Sequence, residues 1–234
     1  MDELIAFDKS LLLSWNGSDS LFLDGFMWMY SSTWMWVPLA LYLLFLFFSN
    51  NDIRNVIVLL VLVALLFVAS DRISSGLIKP FFLRLRPTHD PEIGTFIDTV
   101  RNYRGGMYGF VSSHSANAFA IWSFTALLFK NYAYSLVMLL WALLLGYSRI
   151  YLGVHFPGDV FCGALLGIAI GVIFYRVYVF LSSKLSVPMG GGHGNRYSKE
   201  ITPSGYSKKQ LYGFLSLFFL LNIVAFVAGL LVDK

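Results

Sequence analysis

The chain has 234 residues, of which 57% are hydrophobic, 18% aromatic and only 13% charged. Because a soluble domain carries about 25% charged residues, this composition excludes a soluble globular protein and predicts one membrane-embedded domain spanning 1–234. The formal net charge of +4 suits an anionic lipid surface, but it does not indicate nucleic-acid binding, since the basic residues stand at helix ends rather than on one polar face.

The predicted elements begin with an amphipathic helix at residues 3–15, which we expect to lie in the membrane interface. A transmembrane helix needs about 20 apolar residues. Six stretches meet or approach this length: 33–50, 54–78, 113–130, 133–149, 160–183 and 210–232. Residues 184–209, rich in Gly, Pro and basic side chains, are predicted to form a flexible polar loop. The fold class is therefore all-α, a polytopic membrane protein with six transmembrane helices.

The fifth predicted span carries a small residue at every fourth position, Gly163, Gly167 and Gly171. This spacing puts the three glycines on one helix face and lets a neighbouring helix approach closely. We expect packing within the chain rather than dimerisation, and the oligomeric state is left open.

The second predicted span ends in the first polar cluster, which runs from Lys79 to Pro87. Arginine offers forked donors that fit phosphate oxygens, and Pro87 fixes the backbone just after Arg86. Ordinary anchoring of a helix end would explain Lys79 and Arg86 if they stood alone. Arg84 could contact either a lipid headgroup or the membrane surface, and the membrane surface is the favoured interpretation.

The third predicted span begins with the second cluster, Ser112-Ser113-His114. Serine is a good N-cap, and the free N–H groups of a first helical turn bind anions. A phosphate could bind here while His114 gives a proton to a leaving alkoxide. From this cluster alone, a plain capped helix with an interfacial histidine is an equally good interpretation.

The third cluster, from Ser148 to Asp159, is the most informative. Arg149 and His155 flank a short turn, and Asp159 follows the histidine by four residues. A carboxylate beside a histidine fixes its tautomer and stabilises the imidazolium. His155 could therefore attack phosphorus through one ring nitrogen while Asp159 holds the other. A purely structural His–Asp bond is the weaker interpretation because Arg149 stands beside the pair.

The helix count brings all three clusters to one membrane face. The loops on the opposite side carry seven basic residues: Arg54, Lys130, Lys184, Arg196, Lys199, Lys208 and Lys209. The side of the clusters carries five, once Lys79, Arg86 and Arg149 are set aside: Lys9, Arg84, Arg101, Arg104 and Lys234. The positive-inside rule then puts the clusters and both termini outside, which is the periplasmic side of a bacterial inner membrane.

In this order and between these helices, Lys-x6-Arg-Pro, Ser-x-His and Ser-Arg-x5-His-x3-Asp resemble the type 2 phosphatidic acid phosphatase superfamily. The motifs cover residues 79–159, and the six-helix plan extends the resemblance to nearly the whole chain. It implies that His155 is the nucleophile that forms a phosphohistidine, Asp159 its partner and His114 the general acid. It further implies a set of phosphate ligands: Lys79, Arg86, Ser112, Ser113 and Arg149. The family uses no metal, so the resemblance implies neither a metal nor another cofactor.

One departure from the family pattern lies in the middle motif. The family usually has Pro-Ser-Gly-His, whereas this chain has Val111-Ser112-Ser113-His114. Serine keeps the backbone N–H, adds a hydroxyl and narrows the allowed backbone angles. We expect phosphate binding to survive, and the pose of the phosphate is left open.

These patterns and the resemblance together imply a metal-independent phosphatase whose partners are the bilayer and a phosphorylated lipid. Undecaprenyl diphosphate and lipid A are favoured, because both present phosphate on the predicted external side; phosphatidylglycerol phosphate and phosphatidate are further candidates. A lipid-to-lipid phosphotransferase with the same site is one alternative, and a non-enzymatic transporter or scaffold is another. A haloperoxidase is disfavoured because that chemistry usually sits on a soluble fold. Asp71 and Arg72, at membrane depth, are either a supporting ion pair or a substrate contact.

Overall fold

The computed structural model of the protein describes residues 2–184 and 200–231. Within them most of the chain is helical, and the strand-like pairings are two isolated bridges, Leu85 with Tyr108 and Ile201 with Ser207. The helices are α1 (Asp2–Trp15), α2 (Leu21–Ser31), α3 (Val37–Asn50), α4 (Ile53–Asp71), α5 (Lys79–Phe82), α6 (Ser113–Phe129), α7 (Tyr132–Tyr151), α8 (Pro157–Lys184) and α9 (Lys208–Leu230). A π-helix, Arg72–Ile78, joins α4 to α5, and short 3-10 turns lie at Thr33–Trp36, Pro87–His89, Gly94–Phe96 and Val100–Asn102.

Five helical stretches among the described residues are long and apolar enough to cross a membrane. They are Thr33–Asn50, Ile53–Phe82, Tyr132–Tyr151, Pro157–Lys184 and Lys208–Leu230. The predicted all-α membrane fold is therefore confirmed. The predicted span 113–130 corresponds to α6, whose 17 residues extend about 26 Å at about 1.5 Å per residue. This is shorter than a hydrocarbon core of about 30 Å, so the number of six spans stays a prediction.

Two segments outside the spans differ from the sequence prediction. Helix α2 was not predicted, because its 11 residues are too few to cross a membrane. Ser20 caps this helix, and its side chain accepts a hydrogen bond from Leu23 N. Most of the predicted loop 184–209, residues 185–199, lies outside the described residues. Its last part packs on the bundle: Tyr206 is fully buried, and its ring lies 4.7 Å from that of Phe129.

Helices α6 and α8 form the centre of the bundle and run parallel. A Cβ atom at Gly163 would lie against the carbonyl of Ser112, at Gly167 against that of Ala116, and at Gly171 against Ser123. The glycine face of α8 therefore lies directly on α6, which confirms the expected packing within the chain. Because the two helices are parallel, their N-terminal ends lie side by side, and both helix dipoles point their positive ends to the same place.

Candidate active site

The three polar clusters meet at this end of the bundle, and a direct hydrogen bond joins each pair of them. Lys79 Nζ donates to Ser113 Oγ at 2.8 Å, which links the first cluster to the second. The backbone N–H of Ser112 donates to the Asp159 carbonyl at 3.0 Å, which links the second to the third. Arg86 Nη1 donates to the Val154 carbonyl at 3.2 Å, which links the first to the third.

The π-helix before α5 shapes the surroundings of Lys79. Its wider turn brings Ser74 and Ser75 to the start of α6, where each hydroxyl lies 2.9 Å from Ser113 Oγ. Lys79 Nζ also donates to Ser75 Oγ at 3.2 Å. Single π-helical turns occur often at functional sites, because the extra residue changes which side chains face the same neighbour.

The loop after α5 holds Arg86 through its backbone. The bridge between Leu85 and Tyr108 keeps this stretch extended, and Arg86 Nε donates to the Tyr108 carbonyl at 3.2 Å. A Cβ atom at Gly109 would lie 2.8 Å from Asp159 Oδ2 and 3.2 Å from Arg86 Cγ. Residue 109 must therefore lack a side chain for the loop to close over Arg86 and Asp159.

Arg149 is a buried cation at the end of α7, with 3% of its surface exposed. Its Nη1 donates to Ser31 Oγ, and its guanidinium carbon lies 5.9 Å from the centre of the Tyr103 ring. Its Nε is buried and has no hydrogen-bond partner among the described residues. Since a buried charge is costly unless it is paired, this side chain fits an anionic ligand.

His155 lies in the loop before α8 and forms a buried pair with Asp159 in the first turn of α8; 1% and 0% of their surfaces are exposed. His155 Nδ1 lies 3.4 Å from Asp159 Oδ2, and the same oxygen accepts a hydrogen bond from Phe156 N at 3.1 Å. The backbone N–H of His155 donates to the Arg149 carbonyl at 3.3 Å, which ties the loop to the end of α7. With Nδ1 facing the carboxylate, Nε2 is the nitrogen left for chemistry.

Burial and positive neighbours control the protonation of His155. Desolvation holds its pKa well below the usual 6.5, and the charges of Arg86, Arg149 and Lys79 act in the same direction. The imidazole is therefore neutral at physiological pH. Only the neutral ring has a lone pair that can attack phosphorus.

His114 lies in the first turn of α6 and is half-buried. The helix is capped by Ser112, whose Oγ accepts a hydrogen bond from Ser115 N at 3.4 Å. The same three positive charges that act on His155 also act on this imidazole: those of Arg149, Arg86 and Lys79. The structure thus gathers all of the predicted site residues. Among the residues it describes, no group of three or more His, Cys, Asp or Glu side chains is suited to hold a metal ion.

Arg84 belongs to the site, contrary to the sequence interpretation, which put it at the membrane surface. Its Nη1 donates to Asp159 Oδ1 at 2.9 Å, and its guanidinium lies 4.2 Å above the Phe156 ring. The signal that could have identified it is the spacing Arg84-x-Arg86. In an extended segment, side chains two residues apart point to the same face.

A cavity of about 600 Å³ extends from this site into the apolar part of the bundle. Most of its lining is apolar, with side chains from α3, α4, α6, α7 and α9. Its polar lining includes Asp71, Ser113, His114 and Asn117. Asn117 Oδ1 is buried and has no hydrogen-bond partner among the described residues. The carboxylate of Asp71 is not part of an ion pair within that same set.

Comparison with known proteins gives consistent similarities. A family model described as the PAP2 superfamily matches residues 61–182. The chain is 35% identical to lipid A 4'-phosphatase of Porphyromonas gingivalis over 184 residues, 79% of this chain and 78% of that protein. It is 34% identical to lipid A 4'-phosphatase of Bacteroides thetaiotaomicron over 204 residues, 85% of this chain and 90% of that protein. Among solved structures it resembles Aquifex aeolicus LpxE, with a TM-score of 0.53 and 28% identity over 71% of this chain and 93% of that one.

Proposed function

The chain belongs to the PAP2 superfamily and is a bacterial membrane lipid phosphatase, and from this premise we propose that it removes a phosphate group from lipid A through a phosphohistidine at His155. The observation that carries the proposal is the buried pair of His155 and Asp159 close to three cations, and the buried Nε of one of them, Arg149, has no partner in the described part of the chain. A neutral nucleophile and an anion-binding shell are the two things that phosphoryl transfer requires.

In the first step, His155 Nε2 attacks phosphorus, a P–N bond forms, and the P–O bond to the lipid breaks. Lys79, Arg86 and Arg149 would stabilise the charge that spreads over the phosphate oxygens. The backbone N–H groups at the start of α6, with Ser112 and Ser113, would add neutral donors. The bound phosphate dianion favours the protonated form of His114, which takes up a proton from water and gives it to the leaving lipid oxygen. Asp159 stabilises the positive charge that His155 acquires.

In the second step, water attacks the phosphohistidine. His114 is now neutral and accepts a proton from that water, so the two steps together return it to its starting state. The P–N bond breaks, inorganic phosphate leaves, and His155 regains its lone pair. The resemblance that assigns these roles also implies that the cycle needs no metal ion.

The cavity beside the site supports a lipid substrate. Pockets of 300–1,000 Å³ with apolar walls and a few polar groups bind the apolar part of a ligand and orient its reactive end. We propose that an acyl chain occupies this cavity while the phosphate lies among the cations. Asn117 Oδ1 and the Asp71 carboxylate are acceptors that fit the O–H or N–H groups of a glycolipid headgroup. Undecaprenyl diphosphate offers no such donors near its phosphate, which favours lipid A between the two candidates.

The proposed location is the bacterial inner membrane, with the site facing outward. The excess of Lys and Arg on the opposite loops supports this orientation. Accessibility of a cysteine introduced at exposed Phe96, on the side of the site, would test it in intact cells, with Cys162 replaced by Ala. Labelling by a reagent that does not cross the inner membrane is expected; labelling only after permeabilisation would reverse the orientation.

The experiment that tests the activity is phosphate release by purified protein in detergent with EDTA present. The panel is lipid A, undecaprenyl diphosphate, phosphatidylglycerol phosphate and phosphatidate, each with wild type, His155→Ala and Asn117→Leu. We expect release from lipid A by the wild type, none by His155→Ala, and a loss in Asn117→Leu that is larger for lipid A than for the other lipids. Release that stops in EDTA, or equal release by His155→Ala, would overturn the mechanism.

The same panel separates the phosphotransferase alternative. A transferase would remove the phosphate from lipid A only when a second lipid is added, and it would release little free phosphate. A hydrolase releases free phosphate in proportion to the lipid A consumed.

A further inference from the structure

A carboxylate on the N-terminal helix reaches the site, although the proposed mechanism does not use it. Helix α1 is mostly exposed, and its buried residues are Asp8 and Leu12. Asp8 has 8% of its surface exposed. A buried carboxylate on an otherwise exposed helix is costly unless it is paired and hydrogen-bonded, so its contacts deserve an explanation.

Both oxygens of Asp8 have partners close to the reacting groups. Asp8 Oδ2 accepts a hydrogen bond from Arg84 Nη2 at 2.6 Å, and Asp8 Oδ1 accepts one from the Gly158 backbone N–H at 2.8 Å. Arg84 donates through its other terminal nitrogen, Nη1, to Asp159 Oδ1 at 2.9 Å. Asp159 Oδ2 in turn faces His155 Nδ1 at 3.4 Å. Asp8, Arg84, Asp159 and His155 therefore form one continuous chain of contacts.

The charges of these four contacting side chains explain what Asp8 contributes. Arg84 carries one positive charge and contacts two carboxylates, so its charge neutralises Asp159 less than it would if Asp8 were absent. More of the negative charge of Asp159 then acts on His155. The short contact of 2.6 Å is typical of a charge-assisted bond and holds the guanidinium in one orientation.

The contact with Gly158 adds a second constraint on the same residue. Gly158 immediately precedes Asp159 in the first turn of α8, where backbone N–H groups lack partners within the helix. Asp8 accepts from this N–H and thereby fixes the backbone next to Asp159 as well as its side chain. The outer partners that orient metal ligands contribute about 10- to 100-fold to affinity or activity, and we expect an effect of this size from Asp8.

We propose that Asp8 is a positioning residue of this phosphatase, which holds Asp159 through Arg84 and Gly158 and so sets the orientation of His155. The inference rests on the proposed roles of His155 and Asp159. It makes the N-terminal helix part of the catalytic apparatus rather than only a surface anchor.

The chain offers a matched control one residue away. Lys9 anchors α1 to the loop after α5, with Nζ 2.9 Å from Asp90 and 2.7 Å from Glu92, and it does not touch the reacting groups. If Asp8 only anchored α1, then Lys9→Gln and Asp8→Asn would have similar effects. Asparagine keeps the acceptor for Gly158 N–H but removes the charge opposite Arg84.

The test measures kcat and KM for lipid A phosphate release with Asp8→Asn, Lys9→Gln, Arg84→Gln and the Asp8→Asn/Arg84→Gln double variant. We expect Asp8→Asn to lower kcat by roughly 10- to 100-fold with KM changed less than about 3-fold. Lys9→Gln should stay within about 2-fold of wild type, because the partners of Lys9, Asp90 and Glu92, do not touch the reacting groups. The double variant should be no slower than Arg84→Gln alone, since both remove the same connection.

Three results would overturn the inference: wild-type kcat in Asp8→Asn, an equal loss in Lys9→Gln, or additive losses in the double variant. Thermal unfolding of each variant controls for folding. If Asp8→Asn does not fold, Asp8→Glu, which keeps the charge, must retain more kcat than Asp8→Ala. His155→Ala is measured alongside. Activity in that variant would contradict the phosphohistidine proposal. An inactive His155→Ala together with a fully active Asp8→Asn would contradict only the role of Asp8.

Discussion

Lys79 Nζ lies 2.8 Å from Ser113 Oγ, so the ammonium group donates to the side chain that stands where the family usually has glycine. The hydroxyls of Ser74 and Ser75 reach the same oxygen at 2.9 Å. Ser113 therefore connects the π-helix to the first turn of α6. A glycine could not make this connection.

This contact predicts a mild effect for Ser113→Gly. The substitution removes one hydrogen bond from the Lys79 ammonium and the neutral contacts with Ser74 and Ser75, but it keeps the Lys79 charge and the backbone N–H. We expect KM for lipid A to rise by no more than about 10-fold with kcat preserved. Lys79→Met is the contrast, because it removes a charge that acts on the transition state, and should lower kcat/KM by about 100- to 1,000-fold. Equal losses in the two variants would contradict these assignments.

The protonation of His155 predicts a pH effect on stability. Its pKa in the folded protein is held well below 6.5, so in the unfolded chain the ring takes up a proton at a higher pH. The unfolded state then binds more protons below pH 6.5, and stability falls as the pH drops through that value. We expect the unfolding midpoint of wild type to fall between pH 7.5 and 5.

The control for this effect is His155→Gln, which keeps a neutral polar side chain. Its midpoint should fall less over the same pH interval, since the other titrating groups are common to both proteins. Parallel curves for the two proteins would mean that His155 is not held neutral. The carboxyl pKa of Asp90 lies below its usual value, because hydrogen bonds from Lys9 and the backbone outweigh burial. Asp90 therefore titrates at lower pH and does not affect the comparison.

The close contact of α8 with α6 predicts that Gly167 cannot be enlarged. A Cβ atom there would press on the Ala116 carbonyl and lie 2.9 Å from Ala120 N, both of which are backbone. We expect Gly167→Ala to destabilise the protein by about 1–3 kcal/mol, as overpacked cores do. Gly76→Ala is the matched control, because a Cβ atom at Gly76 meets nothing within 4 Å. An unchanged unfolding midpoint in Gly167→Ala would contradict this packing.

The cavity predicts chain-length selectivity. Ala40 is exposed and lines the cavity, so Ala40→Trp should narrow the cavity without disturbing the buried core. We expect KM for a long-chain lipid phosphate to rise by about 10-fold or more, while hydrolysis of a water-soluble phosphate monoester is unchanged. Ala64→Trp, exposed on α4 but outside the cavity, is the control. The chain-binding proposal fails if both variants treat long and short substrates alike.

The sequence was sufficient to predict the membrane class and the convergence of the clusters. The apolar runs are long, and helix counting alone brings Lys79, Ser113 and His155 to one end of the bundle. The glycine spacing in α8 also predicted its packing, because a stripe of small residues has a specific steric meaning.

The sequence could not identify contacts that depend on tertiary geometry. Arg84 resembles a surface anchor until the loop brings it to Asp159, 75 residues away in the chain. Asp8 looks like one more polar residue of an interfacial helix, and only its burial distinguishes it. The π-helix has no signature in a single sequence, although it positions both Ser74 and Ser75.

The most direct test of the central claim is to trap the covalent intermediate. Lipid A labelled in its phosphate groups would be mixed with wild type, His155→Ala and His114→Ala in EDTA, quenched in alkali within the first turnover, and the protein analysed by peptide mass spectrometry. We predict a phosphoryl group on His155 in the wild type and none in His155→Ala. In His114→Ala the same species should both form and hydrolyse more slowly, because His114 transfers a proton in each step. Turnover by the wild type with the phosphoryl group on another residue, or with unimpaired hydrolysis by His155→Ala, would contradict the account.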